Sequence, residues 1–454
     1  MSRSSLIRGC AFILLALAGG CTVHPSGERE ERDAAMQSGK PFQKPFEVRQ
    51  VPPLPDNPTP DQLVRYALIT NAELEQRYWE WRSAIEQIPQ DGTQATTLNL
   101  AAGSTISNGR TSWANSTLAL SNDPMTNIKW PGTLDAAARQ SLENARAAGR
   151  RFIKAKFDLR NKLLSAYDDY ALNAQLIRLE QSNQQLLKTT ATVTQAQNRA
   201  GNAGQQDVLK AKNEVDMSGN EIANMQSQLP AERAAINALL SRPADAPLPL
   251  PVDLSPARSL AYSDGELVDL AAKQNPELIA LADEVRGRAD GIRLAKLQYV
   301  PDFNLSAGTD LAGITQSLLG QATIPFFRYE ALNAAIAQAK ANLFAAEAMR
   351  RQAGNDLAAQ VVADITTIRD ADRQIDLLER TIFPRAHQIV SLARASYQAG
   401  NASLLDMLDS QRSLIEIERL WTNLQVTRDK RLAELESIDA TDLSVSGSPR
   451  ASPQ

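Results

Sequence analysis

The sequence has little of what enzymes and disulfide scaffolds rely on. Its 454 residues contain two cysteines and two histidines. Cys10 and Cys21 both fall in the first 21 residues, which excludes a disulfide framework in the body of the chain and any Cys-based metal site. His24 and His387 stand far apart in sequence, which disfavours a His-rich metal centre or a His-activated nucleophile. No Gly-rich phosphate loop occurs, so neither a catalytic centre nor a cofactor is expected. Net charge is −4 with no basic cluster, which gives no reason to expect a nucleic-acid partner. No run of 18 apolar residues exists. If this chain crosses a membrane, it does so with strands.

The N-terminus reads as a targeting segment. Arg3 and Arg8 precede the short apolar run Ala11 to Ala18, and Gly19-Gly20-Cys21 follows. That run is too short for a permanent span and ends in small residues. Residues 1–20 are expected to be a signal peptide, with Cys21 the lipidated first residue of the mature chain, as in a bacterial lipobox. Residues 21–60 are expected to be extended.

The rest of the chain is written twice at a lag of about 200 residues. R-A-G-N-A-G-Q-Q-D-V-L (199–209) recurs as Q-A-G-N-A-S-L-L-D-M-L (398–408). L-V-R-Y-A-L-I-T-N-A-E-L (63–74) recurs as L-V-D-L-A-A-K-Q-N-P-E-L (267–278), T-L-N-L-A-A-G (97–103) as D-F-N-L-S-A-G (302–308), and L-D-A-A-A-R-Q (134–140) as L-N-A-A-I-A-Q (332–338). The order is the same each time, so the repeats are expected over 61–250 and 251–440, with a disordered tail over 441–454.

Each half has one grammar: a helical stretch, a short β-like region, then very long helices. In the first copy Asn108-Gly109 signals a hairpin between alternating runs. In the second, a Gly-containing loop separates D-F-N-L-S-A-G-T-D-L from Q-A-T-I-P-F. No proline lies between Pro131 and Pro230, and Leu134 to Arg199 is rich in good helix formers. At 1.5 Å per residue that helix is roughly 100 Å long. The second copy runs from Glu330 toward Gln398, with Pro384 expected to kink it. Return helices are expected over 205–240 and 403–438. Gly201, Gly204 and Gly400 then lie at the turns, where they permit left-handed backbone, and Asp207 and Asp406 enter the first turn of each return helix, where the dipole favours negative charge. Asp168-Asp169 are adjacent on the long helix and are expected at its surface.

Four strands per chain leave open edges, which lipid does not tolerate. Three chains of four strands would close a twelve-stranded barrel.

These residues resemble the TolC-like bacterial outer-membrane efflux proteins. The resemblance covers residues 60 to 440. It rests on the duplication, on N-P-E-L (275–278), on T-I-P-F (323–326) and on the tip Tyr397, Gly400, Asp406, Leu408, Asp409. It implies a mainly α fold with a small transmembrane β part: a trimer with a twelve-stranded barrel and a periplasmic α-barrel of long antiparallel hairpins. It further implies an exit duct in the outer membrane that works with a periplasmic adaptor and an inner-membrane transporter, lipid-anchored at Cys21. Asp406 and Asp409, with Asp207 in the first copy, would ring the closed entrance. Gly201, Gly204, Gly400 and Tyr397 would form the tip turns that meet the adaptor. The sequence departs from the family in its 5% aromatics, leaving Trp113, Trp130, Phe303, Phe326 and Phe327 as candidate girdle residues. It departs also in its short strand segments and at Ala402, where the family often has Arg. Lys210 replaces the second carboxylate in the first copy, at the equivalent of Asp409. A periplasmic adaptor would have one α-hairpin among β domains, and a coiled-coil lipoprotein would have no paired strands.

Overall fold

Thr59 and Ser263 open the two repeats in the same way. In the computed structural model, each caps a short helix with a reciprocal box: Thr59 with Gln62, Ser263 with Glu266. The helices end at Asn71 and Asn275, and the Asn side chains explain the repeated N-x-E-L. Asn71 Nδ2 donates to Leu239 O at 2.9 Å, and Asn275 Nδ2 to Ile438 O at 2.8 Å. Each Asn therefore satisfies a carbonyl at the end of its own repeat's return helix, where the helix ladder leaves carbonyls without partners.

The structure describes residues 22–94, 98–104, 116–122, 128–251, 254, 259–260, 262–310, 316–440 and 444–445. The signal peptide, Cys21, the Asn108-Gly109 turn and Trp113 lie outside them. In order, the elements are α1 (Glu28–Ser38), α2 (Pro60–Thr70), α3 (Ala72–Gly92), β1 (Leu98–Ser104), β2 (Ser116–Asn122), α4 (Pro131–Arg199), α5 (Gln205–Leu239), β3 (Ser259–Leu260), α6 (Asp264–Gln274), α7 (Pro276–Leu297), β4 (Asp302–Asp310), β5 (Gln316–Thr323), α8 (Tyr329–Leu377), α9 (Phe383–Gln398), α10 (Leu404–Asp439) and β6 (Ser444–Val445). None of the described helices is long and apolar enough to cross a membrane.

The chain divides into two compact units that do not coincide with the repeats. One takes the described residues of 1–40, 76–152 and 277–353; the other takes 41–75, 153–276 and 354–454. The first holds the four-stranded antiparallel sheet, in the order β1-β2-β4-β5. The two hairpins join through β2 and β4, with Leu120 opposite Ala307. Alternation gives the sheet two unlike faces. Leu100, Ala102, Leu118, Leu120, Phe303, Leu305 and Ala307 share one face, with Thr309 at its end; Asn99, Thr117, Ser121, Asn304, Ser306, Ser317 and Gln321 share the other, with Ala101, Ala119 and Leu319 its apolar exceptions. The apolar face is not covered: Leu100 is 70% exposed and Phe303 41%. Strand β5 starts earlier than expected, at Gln316, because the segment taken as a Gly-containing loop pairs with β4 as far as Thr309.

The same unit corrects the expectation that residues 21–60 are extended. Residues 28–38 form α1, with Glu28, Glu30 and Glu31 at its positive end. Arg32 pairs with Glu86 at 2.6 Å, and Trp81 Nε1 donates to Glu31 at 2.8 Å. A Cβ at Gly149 would come within 2.8 Å of the Trp81 ring, so this glycine permits the close approach.

The second unit is helical. Leu267 and Ala271 of α6, Val361, Ile365 and Ile368 of α8, and Leu432 and Leu435 of α10 make one core. Between α8 and α9 lies a π turn, Leu378–Ile382. Pro384 explains it: proline has no N–H, and its ring would press on the carbonyl four residues back. The expected kink is thus an inserted turn. Two further corrections belong here. Asp168 is buried, 7% exposed, while Asp169 pairs with Lys430 at 2.5 Å. The tail over 441–454 is not wholly disordered, since Ser444 and Val445 pair with Leu260 and Ser259.

Candidate functional site at the hairpin tips

The two repeated stretches build two nearly identical turns. Gly201 N donates to Asn198 O at 3.0 Å and Asn202 N to Gln197 O at 2.9 Å; 199 residues later Gly400 N donates to Tyr397 O at 3.1 Å and Asn401 N to Ser396 O at 2.9 Å. This closes both helices with a left-handed residue, Gly201 at φ +80° and Gly400 at φ +75°. Gly204 corrects the sequence reading. Its φ is −74° and it is the extended N-cap of α5.

The two caps differ in chemistry. Ser403 Oγ accepts from Asp406 N at 3.2 Å, and Asp406 Oδ2 accepts from Ser403 N at 3.2 Å and Ser403 Oγ at 2.7 Å. At the first tip Asp207 Oδ2 accepts from Gly204 N at 3.3 Å, but Gly204 has no oxygen to return the bond. The repeated aspartates are thus third-position capping residues. Asp406, Asp409, Ser413 and Glu416 form an exposed stripe on α10. Asp207 is half-buried and Lys210 exposed, so the second tip presents two carboxylates where the first presents an acid and a cation.

Tyr397 does not present its ring to solvent. It is 6% exposed and packs with Leu187, Ala211, Leu404, Met407 and Leu408. Its hydroxyl lies 2.7 Å from that of Thr194 on α4. Gln197 Nε2 also donates to Tyr397 O at 3.3 Å. The tyrosine therefore ties the second tip to the first.

Sequence reasoning missed the polar cluster above this contact. Glu180, 4% exposed, accepts from Ser218 Oγ at 2.6 Å, Arg419 at 2.8 Å and Asn183 at 3.0 Å. Gln411 Nε2 donates to Asn183 Oδ1 at 2.7 Å, and Arg412 pairs with Glu214. The carboxylate is buried with three donors around it, as buried charge requires. Its signal in the sequence was a polar residue at core spacing in each of three helices. No group of His, Cys, Asp and Glu among the described residues could hold a metal ion.

The described fold defines the class: a TolC-like channel fold, mostly helical with a small sheet. Residues 267–441 of the chain match the outer membrane efflux protein family. Its fold is shared with a membrane protein from Pseudomonas aeruginosa (TM-score 0.73, 20% identity, 85% of this chain and 92% of that one). It is shared also with the outer membrane protein VceC of Vibrio cholerae (TM-score 0.71, 19% identity, 84% and 96%). In sequence it is 26% identical to nodulation protein T of Rhizobium leguminosarum bv. viciae over 61% of this chain and 59% of that protein. It is 22% identical to the cobalt-zinc-cadmium resistance protein CzcC of Cupriavidus metallidurans over 62% and 67%. The match thus spans about three fifths of the length of nodulation protein T.

Proposed function

We propose that the protein is the outer-membrane exit duct of a tripartite efflux system, a homotrimer that passively conducts small molecules or ions delivered by an inner-membrane transporter through a periplasmic adaptor. The observation that carries this is the sheet. It has one apolar and one polar face, and β1 and β5 are its outer strands. In lipid such a sheet must close, and three copies supply twelve strands with the apolar face outward. The strands have 7 to 9 residues, the short end of what a tilted membrane strand needs.

Asp406 and Asp409 then ring the periplasmic entrance, and the tip turns at Gly201, Gly204 and Gly400 are the surface offered to the adaptor. Tyr397 supports that surface from beneath. The cargo is set by the pump, because a passive duct discriminates little. Cys21 is the lipid anchor. In support, Thr22 pairs with Thr93, and Val23 N donates to Gly92 O at 2.9 Å, so the chain next to Cys21 is held five residues before β1.

The test is mass and conductance. Purified in detergent, the protein should weigh as three chains by light scattering and form cation-selective channels in planar bilayers. A monodisperse monomer that needs no detergent would overturn the reading.

A further inference from the structure

Both return helices leave their repeats through the same kind of residue. Ser241 after α5 has φ +53° and Ala440 after α10 has φ +49°, a left-handed backbone adopted without glycine at equivalent places in the two copies. Beyond that shared exit the copies differ. Ser444 and Val445 pair as a strand with β3. Their counterparts, Asp245 and Ala246, lead instead into P-L-P-L-P (247–251), which joins neither sheet among the described residues.

This proline ladder is extended for a covalent reason. Each proline fixes its own φ and drives the residue before it out of the helical region, so Ala246, Leu248 and Leu250 are extended too. Its burial repeats every three residues. Leu248, 7% exposed, and Pro251 face inward, while Pro247 and Leu250, the latter 46% exposed, face solvent. A strand would put Leu248 and Leu250 on one face. A period of three is that of a polyproline helix.

Side chains of α4 and α5 fasten this rib from beneath, together with Arg242. Asn237 Nδ2 donates to Ala244 O at 3.2 Å and to Ala246 O at 2.9 Å. Arg242 donates to Pro247 O at 3.2 Å, the Tyr170 hydroxyl to Leu248 O at 3.1 Å and Arg178 to Pro251 O at 3.0 Å. Among the described residues the carbonyls of Pro249 and Leu250 accept no such bond. Charge beside the rib is also unbalanced. Arg178, Arg233 and Arg242 have no carboxylate partner among the described residues, and Arg233 Nε is buried without a hydrogen bond. Of the acids beside them, Glu232 is taken by Asn173 at 3.0 Å, and Asp245 stands exposed on the rib without an ion pair.

We propose that residues 247–251 are a docking rib for a second protein, whose groove is lined by aromatic rings and rimmed by carboxylates. Three prolines supply no N–H, so an added β-strand has no ladder to join. Aromatic rings stack on the exposed faces of Pro247, Pro249 and Leu250, and an indole N–H or a phenol reaches the open carbonyls of Pro249 and Leu250. Carboxylates on the rim meet Arg242 and Arg178, whose charge has no partner in this chain. The rib is already ordered by Asn237, Tyr170, Arg178 and Arg242, so docking costs little further ordering.

The experiment replaces Leu250 with photoreactive p-benzoylphenylalanine in the full chain, irradiates the bacterial cells that make it and sequences the adducts by mass spectrometry. An adduct is expected in an aromatic-lined groove of a second protein. That protein, once purified, should bind the detergent-solubilised chain, and roughly tenfold more weakly when the chain carries Leu250→Asp or Arg242→Glu with an unchanged helical spectrum. Adducts confined to lipid or to another copy of this chain would overturn the proposal, as would no adduct at all. So would a captured protein that lacks such a groove, or one that binds Leu250→Asp as tightly as the parent.

Discussion

At Gly201 and Gly400 a backbone with φ near +80° meets nothing within 4 Å, so the need for glycine is conformational and not steric. A side chain there costs about 1–2 kcal/mol, because the left-handed region crowds Cβ against the carbonyl. Gly400→Ala should therefore lower the unfolding free energy by that amount, while Gly204→Ala, at φ −74°, escapes that strain and should lose only the ~0.5–1 kcal/mol that separates glycine from alanine at an N-cap. Gly204→Ser should stabilise the first tip by a few tenths of a kcal/mol, since it supplies the oxygen that Ser403 supplies in the second. Equilibrium denaturation of the three variants under one condition checks both signs. A different residue-scale effect sits at the end of α10. Asp439 is 1% exposed, and burial pushes its carboxyl up to about 7. It is also the last helical residue, where the dipole opposes negative charge. The folded state holds this proton more tightly than the unfolded one, so stability falls as pH rises from about 4 to about 7 and is level above. Asp439→Asn removes the penalty. The variant should be more stable than the parent at pH 8, by on the order of 2–4 kcal/mol, and the gain should vanish by pH 4. Melting at the two pH values reads it.

Helices and strands were largely legible before the structure, and where they were not the reason is local. The return helices begin and end within two residues of their expected bounds, because Asp207, Asp406 and the left-handed glycines mark the tips in sequence. Helix α1 was missed because E-R-E-E-R-D has no apolar stripe. Its stability comes from Trp81 and Glu86, residues 50 and 54 positions away from their partners. The start of β5 was missed because Gly320 reads as a breaker unless its partner Leu305 is known. Tyr397 was read as a surface contact for the same reason: nothing near it in sequence tells of Thr194. That contact gives the prediction for elements. Tyr397→Phe deletes a buried hydroxyl pair between α4 and α9, while Thr194 keeps its bond to Thr190 O at 2.9 Å. The loss should be about 0.5–1.5 kcal/mol of unfolding free energy, read from a lowered denaturant midpoint. The second hairpin should also release more readily from the first, seen as a higher open probability in bilayers. An unchanged gating record with a lowered midpoint would mean that the tie stabilises the fold without holding the entrance.

At the scale of the proposed trimer, two carboxylates on one helix become six around an axis. Seen in one protomer, Asp406, Asp409, Ser413 and Glu416 are a solvated stripe. Closed into rings, the same groups gather like charge that attracts cations and holds multivalent ones. The structure ranks the two aspartates, which the sequence did not. Asp406 spends one oxygen on Ser403, as a cap within its own chain. Asp409, with no such cap, faces solvent. In single-channel recordings with trivalent cations added on the periplasmic side, the parent should be blocked. Asp409→Asn should relieve the block more than Asp406→Asn does, and Asp406→Asn should carry the smaller change in selectivity. The double variant Asp406→Ala with Asp409→Ala should lose the block and most of the cation preference while remaining a trimer. Asp207→Ala should do less than either, because Lys210 already offsets charge at that tip. A double variant that is still blocked like the parent would return these aspartates to a capping role and move the constriction elsewhere along the tunnel.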